Sequence, residues 1–296
     1  MLTVDEAFLK FKGRLEITDT ELSDASSRQT TIRRQIQAWI DVQDTFLSGS
    51  YVRHTKTKPL KDVDIFVVLG AKAQSWRGRP PVELLQEFKR FLSSEYGDTR
   101  VSIARRSVRV DFGVAIVDDV SGQVLSIDVV PAFDEDDHFV IPDKITGRWM
   151  ASDPRIHADL ATAANSAFDD RWKPIVKMLK KWNDNNAKPI KPSFLIEVMA
   201  LQLLTGPWTH SYPREIKGFF GSATDSIGTG WADPAGLGDP VSDRLDGDPS
   251  LMTIAKQALW LAERSCSEAI NDADAGRVGS ALSTWQTLFG PLFAKS

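Results

Sequence analysis

The chain has almost no thiol chemistry to work with. A single cysteine, Cys266, stands among 296 residues, which excludes an internal disulfide framework and any zinc cluster built on cysteine. Histidine is nearly as scarce. His54, His138, His157 and His210 show no metal-ligand spacing, so no zinc site is expected. No stretch reaches the roughly 20 apolar residues that span a bilayer. The opening MLTVDEAFLKFKGRLEITD lacks the basic and long apolar segments of a secretory leader. These features read as a soluble cytoplasmic protein with no membrane partner. No internal repeat is visible, which argues against a solenoid. Positive charge is not in excess either: 36 Lys and Arg face 40 Asp and Glu, a formal net charge of -4. That argues against a long nucleic-acid-binding surface and leaves room only for a local basic groove.

What is present is an ordinary globular composition, 42% hydrophobic and 26% charged. The length suggests one large domain or two packed ones. Residues 20–46 carry Ile32, Ile36, Trp39 and Ile40 at helical spacing and are expected to be a helix. VDIFVVL at 63–69, ending at Gly70, reads as a strand. After Pro80 and Pro81, the apolar residues Leu84, Phe88 and Leu92 predict a helix that stops near Gly97. Strands are expected over 99–104, 107–117 and 123–130, the second from the alternation of Val108, Val110, Phe112, Val114 and Ile116. DDVSGQ at 118–123 reads as a hairpin connection. A helix, two prolines and a loop-like segment then lead into a helical C-terminal half.

That half opens with an apolar stripe of Phe168, Trp172, Ile175, Val176, Leu179 and Trp182. Pro174 within it makes the helix either begin or kink there. PSFLIEVMALQLLTG is a buried helix, 221–250 a long loop rich in Gly, Asp and Pro, and 251–290 helical again. The whole reads as α+β, with a largely antiparallel sheet followed by helices and a cleft between the two halves.

The chemistry concentrates in LSGSYVRHTKTKPLKDVDIFVVL, residues 47–69. Asp62 and Asp64 are spaced i, i+2, so on a strand they share a face with Cα atoms about 6–7 Å apart. Two carboxylates that close repel each other unless a cation lies between them. Hard oxygen ligands at this spacing suit Mg²⁺, which takes its remaining ligands from water and phosphates. Gly49 and Ser50 just upstream supply the N–H and hydroxyl donors a phosphate needs. A phosphate cradle followed by an acidic pair points to phosphoryl or nucleotidyl transfer through two metal ions. A third carboxylate should come from a neighbouring strand. Asp128, at the end of an apolar approach in LSIDVVPAF, is preferred. Asp111, mid-strand in VRVDFGV, is the alternative, with Arg109 on its own face as a partner.

The stretch GSYVRHTKTKPLKDVDIFVVL, followed by SVRVDF, IDVVPAF, HFVIPD, GRWMASDPRIH and LKKWNDNNAKPIKPSFLIEVMAL, resembles the polymerase-β-like nucleotidyltransferases. In detail it is similar to the bacterial cGAS/DncV-like (CD-NTase) family. The likeness covers most of residues 47–205, and WADPAGLGDPVSDRL at 231–245 looks family-like too. It implies a bilobed fold: a nucleotidyltransferase core over 1–160 with N-terminal helices, and a helical domain over 161–296 closing a central cleft. It implies an enzyme that makes a cyclic di- or trinucleotide second messenger from nucleoside triphosphates, ATP and/or GTP, in anti-phage (CBASS) signalling. A downstream effector would read the product. Asp62, Asp64 and Asp128 match the metal-binding carboxylates for two Mg²⁺, or Mn²⁺. Gly49 and Ser50 match the grip on the donor triphosphate. Lys180, with Lys181 beside it, matches a lysine that neutralises the triphosphate, and Ser193 a serine near the phosphates.

Rival readings are a linear oligoadenylate-type synthase, an RNA or small-acceptor nucleotidyltransferase, and an inactive nucleotide-binding sensor. Without cysteines for a zinc insertion, direct sensing of double-stranded DNA is not expected. Lys173, Lys177, Lys188 and Lys191 can be a solvated helix face. Arg53, His54, Lys56 and Lys58 form a loop that either closes over phosphates or lies exposed. Trp149 is read as domain-junction packing in preference to base stacking.

Overall fold

The computed structural model describes residues 2–115 and 124–293. Two T-x-x-E boxes start its helices. Thr3 and Thr18 accept hydrogen bonds from the N–H groups of Glu6 and Glu21, whose carboxylates accept from the threonine N–H in return. This reciprocal cap satisfies donors that a helix start leaves orphaned. It opens α1 (Val4–Arg14) and α2 (Asp19–Trp39). The helix expected over 20–46 is corrected here. α2 stops at Trp39, Ile40 is already extended, and Val42–Ser48 is strand β1.

The order continues α3 (Gly49–Val52), β2 (Asp62–Leu69), α4 (Pro81–Tyr96), β3 (Val101–Ile103), β4 (Val108–Ala115) and β5 (Val124–Asp134). The hairpin expected at 118–123 lies outside the described residues. Next come β6 (Phe139–Asp143) and β7 (Arg148–Ser152), where a helix and loop were expected. The helices α5 (Pro154–Ala167), α6 (Trp172–Asn185), α7 (Phe194–Leu203), α8 (Tyr212–Ser226), α9 (Asp243–Asp246), α10 (Pro249–Asp274) and α11 (Val278–Phe289) complete the chain. Pro174 sits in the first turn of α6, where its missing N–H costs nothing, so the helix begins there. The loop expected over 221–250 is irregular between Gly230 and Ser242 and again at Gly247 and Asp248, and the last helical stretch divides at Gly276, whose φ is 76°.

Packing groups the chain into two units: Ile17–His157, and Met1–Glu16 together with Ala158–Ser296. α1 thus groups with the C-terminal helices, whereas the sequence reading counted it with the catalytic core. In the first unit the strand order is β1-β2-β5-β4-β3, with β6 and β7 continuing from β5. Among the described residues only β2 and β5 run parallel; every other pairing is antiparallel. Period-2 geometry divides the side chains. Val63, Ile65, Val67 and Leu69 of β2, Leu125, Ile127 and Val129 of β5, and Val108 and Val110 of β4 pack into a core with Ile32 and Ile36 of α2 and Leu84, Leu85, Phe88 and Leu92 of α4. Asp62, Asp64, Phe66 and Val68 of β2, Ser126, Asp128, Val130 and Ala132 of β5, and Arg109 and Asp111 of β4 belong to the other face. That face is apolar further along, where Phe66, Val68, Val130, Ala132, Phe139 and Ile141 cluster.

The elements described in the second unit are all helices. Phe8 and Phe11 of α1 meet the rings of Phe289 and Phe293 at centroid distances of 4.9–6.0 Å. Trp172 of α6 is fully buried and donates its indole N–H to the carbonyl of Ala200 on α7 at 3.2 Å. Among the described residues, no helix is long and apolar enough to cross a membrane.

Candidate active site

β1 delivers the chain into the site. Ser48 pairs with Asp64 in the β1–β2 register, and Gly49 then turns at a φ of 68°, a left-handed conformation that glycine adopts without penalty. The turn lies against Asp64. A Cβ on Gly49 would collide with Asp64 Oδ2. Thr55 N–H donates to the carbonyl of Ser50 at 3.0 Å, and Arg53, Thr55 and Thr57 are buried. The 53–58 segment is therefore packed down through alternate residues, with His54 exposed.

Asp64 lies directly across from Asp128 in the parallel β2–β5 pairing, and Asp62 across from Ser126. Asp62, Asp64 and Asp128 therefore share one face of two adjacent strands. Asp111 lies across from Ser126 on the far side of β5, one strand further from Asp64. The sequence assigned Arg109 to Asp111, and here the structure differs. Register places Arg109 opposite Asp128, and its guanidinium grips that carboxylate at both oxygens, 2.7 Å to Oδ2 and 3.3 Å to Oδ1. Ser107 Oγ donates to the same Oδ1 at 2.9 Å. On the other side of the site, the Lys56 ammonium pairs with Asp62 Oδ1.

These cations do not cancel the repulsion at the centre. Burial, and next the charge of Asp128, push the Asp64 carboxyl up to about 6, against the lowering pull of Lys56, Arg53 and Arg109. Among the described residues, no three His, Cys, Asp or Glu side chains converge as a ready-made metal cage. The donor set nevertheless suits a hard divalent ion. Two acidic oxygens face each other across adjacent strands, a third carboxylate stands two residues along, and one of the three is costly to ionise without a cation beside it.

The lysines and serine named from sequence lie in the helical unit. Lys180, on α6, is buried, and its ammonium donates to Glu197 Oε1 of α7 at 2.6 Å. Lys177 is likewise buried against Glu16 at 2.6 Å. Lys181 is half-buried, and Ser193 is exposed at the start of α7. Trp149 packs edge-on against Phe133 with 5.3 Å between ring centroids and donates its indole N–H to Arg79 O. It is a packing residue of the sheet unit. Ser107 was missed from sequence, since it lies just before β4 and only the fold brings its hydroxyl to Asp128.

The chain is similar to known proteins. A probable cyclic nucleotide synthase of Bacillus cereus is 26% identical over 277 residues, spanning 83% of this chain and 80% of its own length. A cyclic AMP-AMP-AMP synthase of Acinetobacter sp. is 24% identical over 319 residues, spanning 100% of this chain and 87% of its own. The structure of CdnC from E. coli MS115-1 with ATP superposes with a TM-score of 0.69 at 18% identity, covering 98% of both chains. At that identity it shows a shared fold. A family model described as the Second Messenger Oligonucleotide or Dinucleotide Synthetase (SMODS) domain matches residues 1–165, which takes in the Gly-Ser turn, all three aspartates and more than half of the 296 residues. The chain belongs to that family, and so to the CD-NTase class of nucleotidyltransferases.

Proposed function

We propose that the protein is a divalent-metal-dependent synthase that joins nucleoside triphosphates into a cyclic di- or trinucleotide. The observation that carries this reading is the placement of Asp62, Asp64 and Asp128 on one face of adjacent strands, with the Gly49 turn packed on Asp64. Asp62, Asp64 and Asp128 would hold two Mg²⁺, or Mn²⁺, supplying an acidified acceptor hydroxyl and charge neutralisation at the triphosphate. The Gly49–Ser50 turn supplies donors to the donor triphosphate. Lys180 and Lys181 add positive charge for it, Lys180 being oriented by Glu197, and Ser193 offers a hydroxyl. In-line attack of a ribose hydroxyl on the α-phosphorus forms one phosphodiester and releases pyrophosphate. A second round on the linear intermediate closes the ring.

ATP and/or GTP are the proposed substrates. A relative is named for a product of three AMP units, and solved relatives were determined with ATP and with GTP. A second-messenger product further implies a cytoplasmic enzyme in CBASS-type defence and an effector that binds the product.

The test incubates the protein with Mg²⁺ and the four nucleoside triphosphates, each labelled in turn at the α-phosphate, then treats the products with phosphatase. A phosphatase-resistant product, absent with an Asp62→Asn/Asp64→Asn variant, is expected. Phosphatase-sensitive oligomers would mean a linear synthase. Nucleotide binding without transfer, under Mg²⁺ or Mn²⁺, would mean a silent sensor.

A further inference from the structure

We propose that Arg109 is a positioning residue that gates metal loading: by occupying Asp128 it keeps free divalent ions weakly bound, so that the ions enter together with a nucleoside triphosphate. The inference rests on Asp62, Asp64 and Asp128 being the metal ligands. Two of the three already hold a cation of the protein's own, Lys56 on Asp62 and Arg109 on Asp128. Arg109 engages both oxygens of its partner and Ser107 engages one of them again. A divalent ion arriving alone must compete with a guanidinium that cannot be deprotonated at any working pH. Only the charge of Asp64 is then left to favour it strongly.

A triphosphate changes that balance. It brings its own negative charge with the ion, and it offers Arg109 and Lys56 another set of oxygens. Arginine forks recognise phosphate with the geometry they use for carboxylate. The side chains are built for such an exchange. The Arg109 side chain is 42% exposed while that of Asp128 is 6% exposed, so the cation has room to swing and the carboxylate does not. Arg109 thus aims Asp128 in the resting site and yields it when metal and nucleotide arrive together.

The experiment titrates Mn²⁺ by calorimetry, with and without a non-hydrolysable nucleoside triphosphate, into wild type, Arg109→Gln, Arg109→Lys and Asp128→Asn, and measures kcat and KM for each active protein. Arg109→Gln should bind Mn²⁺ without nucleotide about tenfold tighter than wild type, since a like charge within a few ångströms of the ion is removed. Its KM for nucleoside triphosphate should rise about tenfold with kcat little changed, because the loaded site loses the guanidinium that would move from Asp128 to the triphosphate. Arg109→Lys keeps the charge and loses the fork. It should bind Mn²⁺ as wild type does, yet share part of the rise in KM. Nucleotide-free Mn²⁺ affinity that is unchanged or weaker in Arg109→Gln overturns the gate. So does an Arg109→Lys protein that binds as tightly as the glutamine variant. If Asp128→Asn leaves both Mn²⁺ binding with nucleotide and transfer intact, the carboxylate assignment itself falls, and the gate with it.

Discussion

Gly49 and Asp64 set each other's geometry, and both make predictions at the scale of single atoms. An alanine at 49 would need a left-handed φ and would drive its methyl into the Asp64 carboxylate. Gly49→Ala should therefore fold but misplace Asp64, and a displacement of about 1 Å at a reacting centre can cost on the order of 100-fold. Steady-state transfer within tenfold of wild type would contradict this. Asp64 also makes the metal-free protein sensitive to pH. Its carboxyl is raised to about 6, so the folded state binds this proton more tightly than the unfolded chain does. Ionised Asp64 weakens the fold, and the stability it withholds returns as pH falls through 6 toward the ordinary carboxylate range. With EDTA present, wild type should gain on the order of 1 kcal/mol relative to Asp64→Asn between pH 7.5 and pH 5. Denaturant titrations of the two proteins at both pH values check the sign. A gain in the opposite direction would show that Lys56, Arg53 and Arg109 outweigh burial and Asp128.

The elements were not equally legible. β2 announced itself through a β-branched apolar run behind two aspartates, and α4 through its four-residue recurrence and flanking Pro81 and Gly97. β1 was hidden because Ile36, Trp39 and Ile40 extend a helical spacing to the strand's edge, while Asp44 and Thr45 resemble a helix surface. Nothing local marks Trp39 as the last helical residue; pairing with β2 decides it. FVIPD in β6 is too short for periodicity to separate strand from loop. The site divides in the same way. Asp62 and Asp64 were visible from an i, i+2 spacing, but the Arg109 grip on Asp128 depends on the β4–β5 register, which no spacing within β4 encodes. Burial was also invisible for Lys180, since a lysine on an apolar helix reads as solvated until Glu197 of α7 is set beside it. That pair gives the prediction for this scale. Glu197→Ala strands a buried ammonium and should cost the helical unit about 3 kcal/mol. Lys180→Met with Glu197→Leu should recover most of that stability while raising KM for nucleoside triphosphate. A stable double variant with unchanged KM would make the pair purely structural.

Across the whole chain, sequence order and packing order diverge. The sheet unit is one continuous segment, Ile17–His157, with β1–β7, α2 and α4 inside it. The helical unit is assembled from both ends. Phe8 and Phe11, fully buried in α1, fill its core against Trp285, Phe289 and Phe293. Loss of one such aromatic from a core costs about 3–5 kcal/mol, a large share of the roughly 5–15 kcal/mol that holds a domain together. A fragment of residues 17–157 should therefore fold alone, with a strand-rich far-ultraviolet spectrum and a single cooperative denaturant transition. A chain lacking residues 1–16 should keep that transition and lose the cooperative unfolding of its helices, although none of the deleted residues belongs to the C-terminal segment. The full chain carrying Phe8→Ala and Phe11→Ala should show the same selective loss, which separates the aromatic contacts from any effect of truncation. If the deletion and the double alanine variant both melt as wild type does, the grouping of α1 with the C-terminal helices does not describe the folding unit.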